Sequence, residues 1–121
     1  MPVPERLAAV RQRIEEETLD ALVVSSGANR RYLSGFTGSA GTLIIRPSQA
    51  VFAVDSRYYE QVGQQAPDYT LERVGYDFVG NLARMLEGAR RVGFEAGTVT
   101  VAEFQDWQAK APDIEWVATK G

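Results

Sequence analysis

Two apolar runs, Thr42–Arg46 and Ala50–Asp55, are joined by nothing but Pro47-Ser48-Gln49. So short a link cannot carry the crossover that parallel strands need, so the runs must pair as an antiparallel hairpin. Around the hairpin the pattern differs. Ala21–Val24, Thr70–Val74, Arg91–Glu95 and Ile114–Val117 read as strands separated by helical periodicity, the arrangement that builds parallel pairs. A chain that carries both must make a mixed sheet. The element order α-β-α-β-β-α-β-α-β-α-β predicts a three-layer α/β/α domain with about six strands and helices on both faces.

Local signals place the helices. Pro4 suits a first helical position, with Glu5 at the positive end of the dipole. Leu7, Val10 and Ile14 share one face of that helix, and Arg11–Glu15 and Arg13–Glu17 are spaced to pair across a turn. The acidic run Glu15–Glu17 stands at the unfavourable end of the dipole and predicts fraying there. Ser25-Ser26-Gly27 ends the first strand and caps a short helix over 28–34. Asp55 or Ser56 caps the next, with Tyr58, Tyr59 and Val62 at helical spacing. Phe78, Val79, Leu82, Met85 and Leu86 form another apolar stripe, stopped by Gly88. Thr100 and Glu103 make a capping box, with Val99 stapled onto Phe104. Trp107 and Trp116 are expected to close one edge of the core.

Composition excludes several function classes. At 121 residues the chain is one domain, 1–121. A net charge of −3 argues against a nucleic-acid footprint. No apolar run is long enough for a membrane helix. Zero cysteines and no leader pattern at Met1-Pro2-Val3-Pro4-Glu5 point to a cytoplasmic protein. Zero histidines remove Ser-His-Asp and Cys-His catalysis and His-ligated zinc. Any metal would need a carboxylate cluster, and the acids are scattered.

The segment from Asn29 to Gly41 stands apart. It packs Gly35, Gly38 and Gly41 between two buried strands, with Tyr32, Phe36, Ser34, Thr37 and Ser39 among them. Gly35 can end a helix with positive φ, and Gly38 and Gly41 let the backbone fold back. The segment is either a tight helix-to-strand connection or a functional loop. Phe36, a large apolar residue between two glycine turns, is hard to bury locally and is expected at a functional surface. Tyr32 and Tyr58 read as core packing with bonded hydroxyls.

With these pieces in place the chain resembles the N-terminal domain of the creatinase–prolidase–aminopeptidase P family, a ribonuclease H-like mixed-sheet type. The resemblance is carried by Arg6-Leu7 through Ile14, Asp20–Val24, the run Asn29-Arg30-Arg31-Tyr32-Leu33-Ser34-Gly35-Phe36, and Gly38–Leu43. It continues through Val54-Asp55-Ser56-Arg57-Tyr58-Tyr59-Glu60-Gln61 and Val92-Gly93-Phe94-Glu95. One departure is visible: relatives often carry Gly before the first strand, where this chain has Thr18-Leu19. The resemblance implies a metallopeptidase that cleaves before a proline in the second position of a peptide, or a relative acting on creatine-like substrates. It places two divalent metals, often manganese, on Asp, His and Glu ligands of a C-terminal catalytic domain. This chain ends at Thr119-Lys120-Gly121, where that domain would begin, so by itself it is expected to hold no cofactor and to be catalytically inactive.

The same resemblance implies that this domain packs on its own C-terminal catalytic domain, helps form a homodimer or larger homo-oligomer, and covers a neighbouring active-site mouth. The substrate-gating loop would be Gly35, Phe36, Thr37, Gly38, Ser39 and Gly41, with Phe36 as an apolar wall. Tyr32, Asp55, Arg57 and Tyr58 would orient that loop or join an interface. Against this, Asp55 reads better as a helix cap, and Arg57 slightly better as a surface charge. Two other classes stand beside the peptidase. One is a peptide-binding or interaction module of the same fold. The other is a nuclease, which would need Asp20 and Asp55 to meet further acids.

Overall fold

A computed structural model describes residues 2–119. Its elements are α1 (Val3–Glu16), β1 (Ala21–Val24), α2 (Gly27–Ser34), β2 (Thr42–Ile45) and β3 (Ala50–Val54). A 3-10 turn (Ser56–Tyr58) then leads into α3 (Tyr59–Gln65), followed by β4 (Thr70–Arg73), α4 (Phe78–Met85), β5 (Arg91–Glu95), α5 (Val101–Lys110) and β6 (Glu115–Thr119). The last two residues of the expected domain boundary, Lys120 and Gly121, lie outside the described residues.

The strands form one six-stranded sheet in the order β4-β3-β2-β1-β5-β6. β2 pairs antiparallel with both β3 and β1, while β1–β5, β3–β4 and β5–β6 are parallel. The tight Pro47-Ser48-Gln49 link thus produces the hairpin it demanded, and the crossover helices produce the rest. Alternate residues of the central strands face opposite layers. Leu43, Ile45, Phe52 and Val54 pack under Leu7, Ile14, Leu33 and Val62 from α1, α2 and α3. Ile44, Val51, Val92 and Phe94 pack under Leu82 and Met85 of α4 and Trp107 of α5. This two-sided burial is why the strands read as unbroken apolar runs. Trp107 and Trp116 close the edge of the second layer, their rings 5.6 Å apart.

Beyond Leu22 the sheet continues into Gly93 and Val117, and a side chain at Gly93 would meet Leu19, Leu22 and Thr119.

Helix ends follow their caps. Thr100 accepts from the Glu103 amide at 3.1 Å while the Glu103 carboxylate accepts from the Thr100 amide at 3.0 Å, the expected capping box. The end of α1 differs from expectation. It does not fray, because Thr18 N–H donates to Glu15 C=O at 3.1 Å and Leu19 N–H to Ile14 C=O at 2.9 Å. These are the two bonds of a Schellman stop, sealed by burial of Ile14 and Leu19. The position that needs a left-handed backbone there is Thr18, with φ of 58°. Nor do Arg11–Glu15 and Arg13–Glu17 appear among the ion pairs of the described residues. Arg11 turns inward and donates to the Arg46 carbonyl at 2.9 Å, which joins α1 to β2.

Candidate functional site

The carboxyl ends of β1, β3 and β5 and the amino end of β2 meet at one edge of the sheet, and Gly35–Gly41 lies across it. Ser26 caps α2, and Gly35 ends it in the left-handed region with φ of 79°. Phe36 then turns inward. Its ring is 1% exposed and stands edge-on to Phe52 at 4.8 Å and to Tyr58 at 5.4 Å. Gly38 lies against that ring: a Cβ there would be 2.2 Å from Phe36 Cζ and 2.9 Å from Tyr58 Cε1. Close approach, not positive φ, is therefore what Gly38 supplies. At Gly41 both reasons apply, with φ of 135° and Phe52 Cε1 2.6 Å from the place a Cβ would take.

Polar side chains fix the backbone of this loop. Arg30, buried on α2, donates to the Gly41 carbonyl at 3.1 Å and the Gly38 carbonyl at 3.3 Å. Burial lowers its guanidinium pKa from the usual value. Tyr58 Oη lies 2.6 Å from Ser39 Oγ, and its hydrogen bonds with Ser39 lower the phenol's pKa. Gln65 on α3 accepts from the Thr37 amide at 3.0 Å. The loop is thus held from α2, the 3-10 turn and α3. It presents Thr37 and Ser39 to solvent, while Phe36 stays inside.

Two expectations are overturned here. Phe36 is not an exposed apolar wall, because β3 and the 3-10 turn bring Phe52 and Tyr58 over it. Nor is Tyr32 core: it is 52% exposed, and the Arg6 guanidinium lies 4.3 Å from its ring centre. Tyr58 does carry a bonded hydroxyl, as expected. Asp55 is the cap it was expected to be, accepting from the Arg57 amide at 3.0 Å. It also takes both Nε and Nη2 of Arg57 at 2.9 Å, so Arg57 is the exposed surface charge expected, held in place by the cap. That pairing holds the Asp55 carboxyl below its usual range and raises the Arg57 guanidinium above its own. Arg57 lies 5.0 Å from the Tyr58 ring centre and 6.0 Å from that of exposed Tyr76.

A residue that sequence reasoning did not single out organises the other half of this edge. Glu95, at the end of β5, is buried, and its carboxylate accepts from the Ser25 amide at 2.6 Å and the Ser26 amide at 2.7 Å. Its second oxygen accepts from the Asn29 side chain. β1 is followed by α2 on one face and β5 by α5 on the other. That divergence makes the crevice in which open α/β sheets commonly bind anionic ligands. Here the domain's own carboxylate fills it. The signals in the sequence were an acid directly ending an apolar strand and an Asn three residues beyond a Ser cap, both inside runs that carry the family resemblance.

The profile of the Creatinase/Prolidase N-terminal domain family matches residues 6–121. This chain belongs to that family. The uncharacterized peptidase YqhT of Bacillus subtilis is 32% identical over 114 residues, covering 93% of this chain and 32% of the relative. Among solved structures, the Xaa-Pro dipeptidase from Bacillus anthracis superposes with a TM-score of 0.93 at 28% identity, over 99% of this chain and 34% of that one. The N-terminal domain of the cytoplasmic peptidase PepQ from Mycobacterium tuberculosis H37Rv gives a TM-score of 0.84 at 33% identity, over 97% of this chain and 94% of that one. The chain therefore spans about a third of the first two proteins and nearly all of the third.

As a creatinase/prolidase N-terminal domain, the chain does not fit the ligand set of a two-metal centre. It has no histidine, and among the described residues no three Asp or Glu side chains come together. Asp20 and Asp55, the pair a nuclease would need, sit at opposite ends of the sheet. Asp20 instead accepts from the Arg90 and Arg91 amides, each at 2.9 Å, and these bonds lower its pKa. No described helix is long and apolar enough to cross a membrane.

Proposed function

We propose that this creatinase/prolidase N-terminal domain is the non-catalytic half of a cytoplasmic Xaa-Pro peptidase of the aminopeptidase P or prolidase type. In this reading a C-terminal domain carries two divalent metals, manganese by preference. The N-terminal domain packs against it, joins a homo-oligomer, and narrows the active-site mouth for peptides with proline in the second position. The observation that supports gating is the anchored loop Gly35–Gly41, tied down by Arg30, Tyr58 and Gln65 with Thr37 and Ser39 outward. A lip fixed by its own packing can limit the depth of a neighbouring site without touching the ligands of its metals. The gating surface is accordingly the polar pair Thr37 and Ser39, with Phe36 as the buried post behind them.

Two measurements test this. Residues 1–121 alone, supplied with manganese and Xaa-Pro peptides, should show no turnover; hydrolysis would overturn the non-catalytic assignment. In the full-length enzyme Thr37→Arg should raise KM about fivefold with kcat held within about twofold, the signature of lost uniform binding. A fall in kcat at constant KM would count against gating.

A further inference from the structure

Between α1 and α2, on the sheet face that both helices cover, lies a cleft of about 160 Å³. Its walls are apolar, made by Val10 and Ile14 of α1, Leu19 and Leu22 at the start of β1, and Leu33 of α2. Its polar end, Asn29 and Glu95, is closed on itself, because the Glu95 carboxylate takes the Asn29 side chain and the Ser25 and Ser26 amides. An apolar cavity of roughly 150 Å³ takes one benzene-sized group, whereas drug-sized ligands need about 300 Å³ or more. The cleft is therefore sized for a single hydrocarbon side chain.

Two charges of opposite sign stand at its mouth. Arg13, in the last turn of α1, and Glu17, at its C-cap, both line the cleft while staying exposed. They are spaced to pair across one turn, yet neither appears among the ion pairs of the described residues. We infer that this cleft binds a free α-amino acid with a branched or aromatic apolar side chain. The side chain fills the slot, the α-carboxylate meets the guanidinium fork of Arg13, and the α-ammonium meets the Glu17 carboxylate. A neutral hydrocarbon would use neither charge, and a simple anion or cation would lie beside one charge of its own sign. A zwitterion satisfies both. The first residue of a peptide lacks the carboxylate, so the site selects the free amino acid over a peptide. Hydrolysis of an Xaa-Pro bond with an apolar Xaa releases such an amino acid; that link to a product, unlike the site itself, rests on the proposed function.

Titration of residues 1–121 with L-leucine, followed by amide chemical shifts in NMR, tests the inference. A ligand this small should saturate with a Kd of about 1 mM, and the shifts should centre on Val10, Ile14, Leu22 and Leu33. L-alanine should bind at least about tenfold more weakly, because most of the hydrocarbon in the slot is lost. L-leucinamide, which lacks the carboxylate, and isocaproate, which lacks the ammonium, should each bind about fivefold more weakly, as loss of one exposed ion pair gives. Arg13→Gln and Glu17→Gln, both at exposed positions, separate the two charges. Arg13→Gln should bind leucine and leucinamide equally, and Glu17→Gln should bind leucine and isocaproate equally. Equal affinity of the wild type for all three would overturn the inference, since the slot would then read hydrocarbon alone. So would the absence of saturable shifts up to about 30 mM leucine, or an affinity that neither variant changes. Binding is read without turnover, so its failure is separable from failure of the peptidase assignment.

Discussion

Replacing Thr18 with glycine should stabilise this domain, and the reason lies in one dihedral angle. Thr18 occupies the left-handed position of the Schellman stop after α1, with φ of 58°. An L-residue in that region brings Cβ against the following carbonyl, at a cost of about 1–2 kcal/mol, and a β-branched residue fits it worst. Glycine removes that strain, and its greater freedom in the unfolded chain returns about 0.4–1 kcal/mol of the gain. Because Thr18 is exposed, little packing is lost with its side chain. The net expectation is about 1 kcal/mol. With an unfolding entropy near 2.1 cal/mol/K per residue, a chain of 121 residues gains about 4 °C in Tm per kcal/mol. Thr18→Ala is the control, because alanine keeps Cβ and most of the strain. Calorimetry or thermal circular dichroism on the three proteins decides the matter. The reasoning fails if Thr18→Gly melts no higher than Thr18→Ala.

Three further outcomes follow from the same geometry. Gly38→Ala should cost about 1–3 kcal/mol as an overpacked site, because the Phe36 ring it would strike is itself wedged between Phe52 and Tyr58; an unchanged urea midpoint would mean that the ring is free to move. Glu95→Gln should lose about 1–2 kcal/mol, the difference between charged and neutral hydrogen bonds, and Glu95→Ala should lose more because the Ser25 and Ser26 amides are left without an acceptor; equal losses would refute the anchoring role. Asp20 has its folded pKa lowered by the Arg91 and Arg90 amides, so its stabilisation is complete above the unfolded value near 3.9 and disappears as pH falls through the lower folded value. Wild type should therefore exceed Asp20→Asn in urea midpoint at neutral pH, and the gap should close on acidification below about pH 4; a gap that persists in acid would contradict the assignment.

The readings that survived were local or periodic. The hairpin across Pro47-Ser48-Gln49, the capping box at Thr100 and Glu103, the Asp55 cap and the left-handed Gly35 each depend on a few adjacent residues. The sheet class followed from them, since one forced hairpin amid strand–helix alternation leaves few topologies. The family resemblance was legible for the same reason: its motifs are runs of neighbours.

What sequence alone could not place were contacts between elements far apart in the chain. Phe36 looked hard to bury because its neighbours are glycines, yet Phe52 on the adjacent hairpin strand encloses it from 4.8 Å. Glu95 gave no sign of meeting Ser25 and Ser26, about 70 positions away, until β1 and β5 paired in parallel. Arg11 had a suitable partner one turn away and took the Arg46 carbonyl instead, where a partly buried bond holds two layers together. Local chemistry determined which elements form and where they stop. Only the assembled sheet decided which side chains were removed from water, because burial is a property of what arrives from elsewhere in the chain.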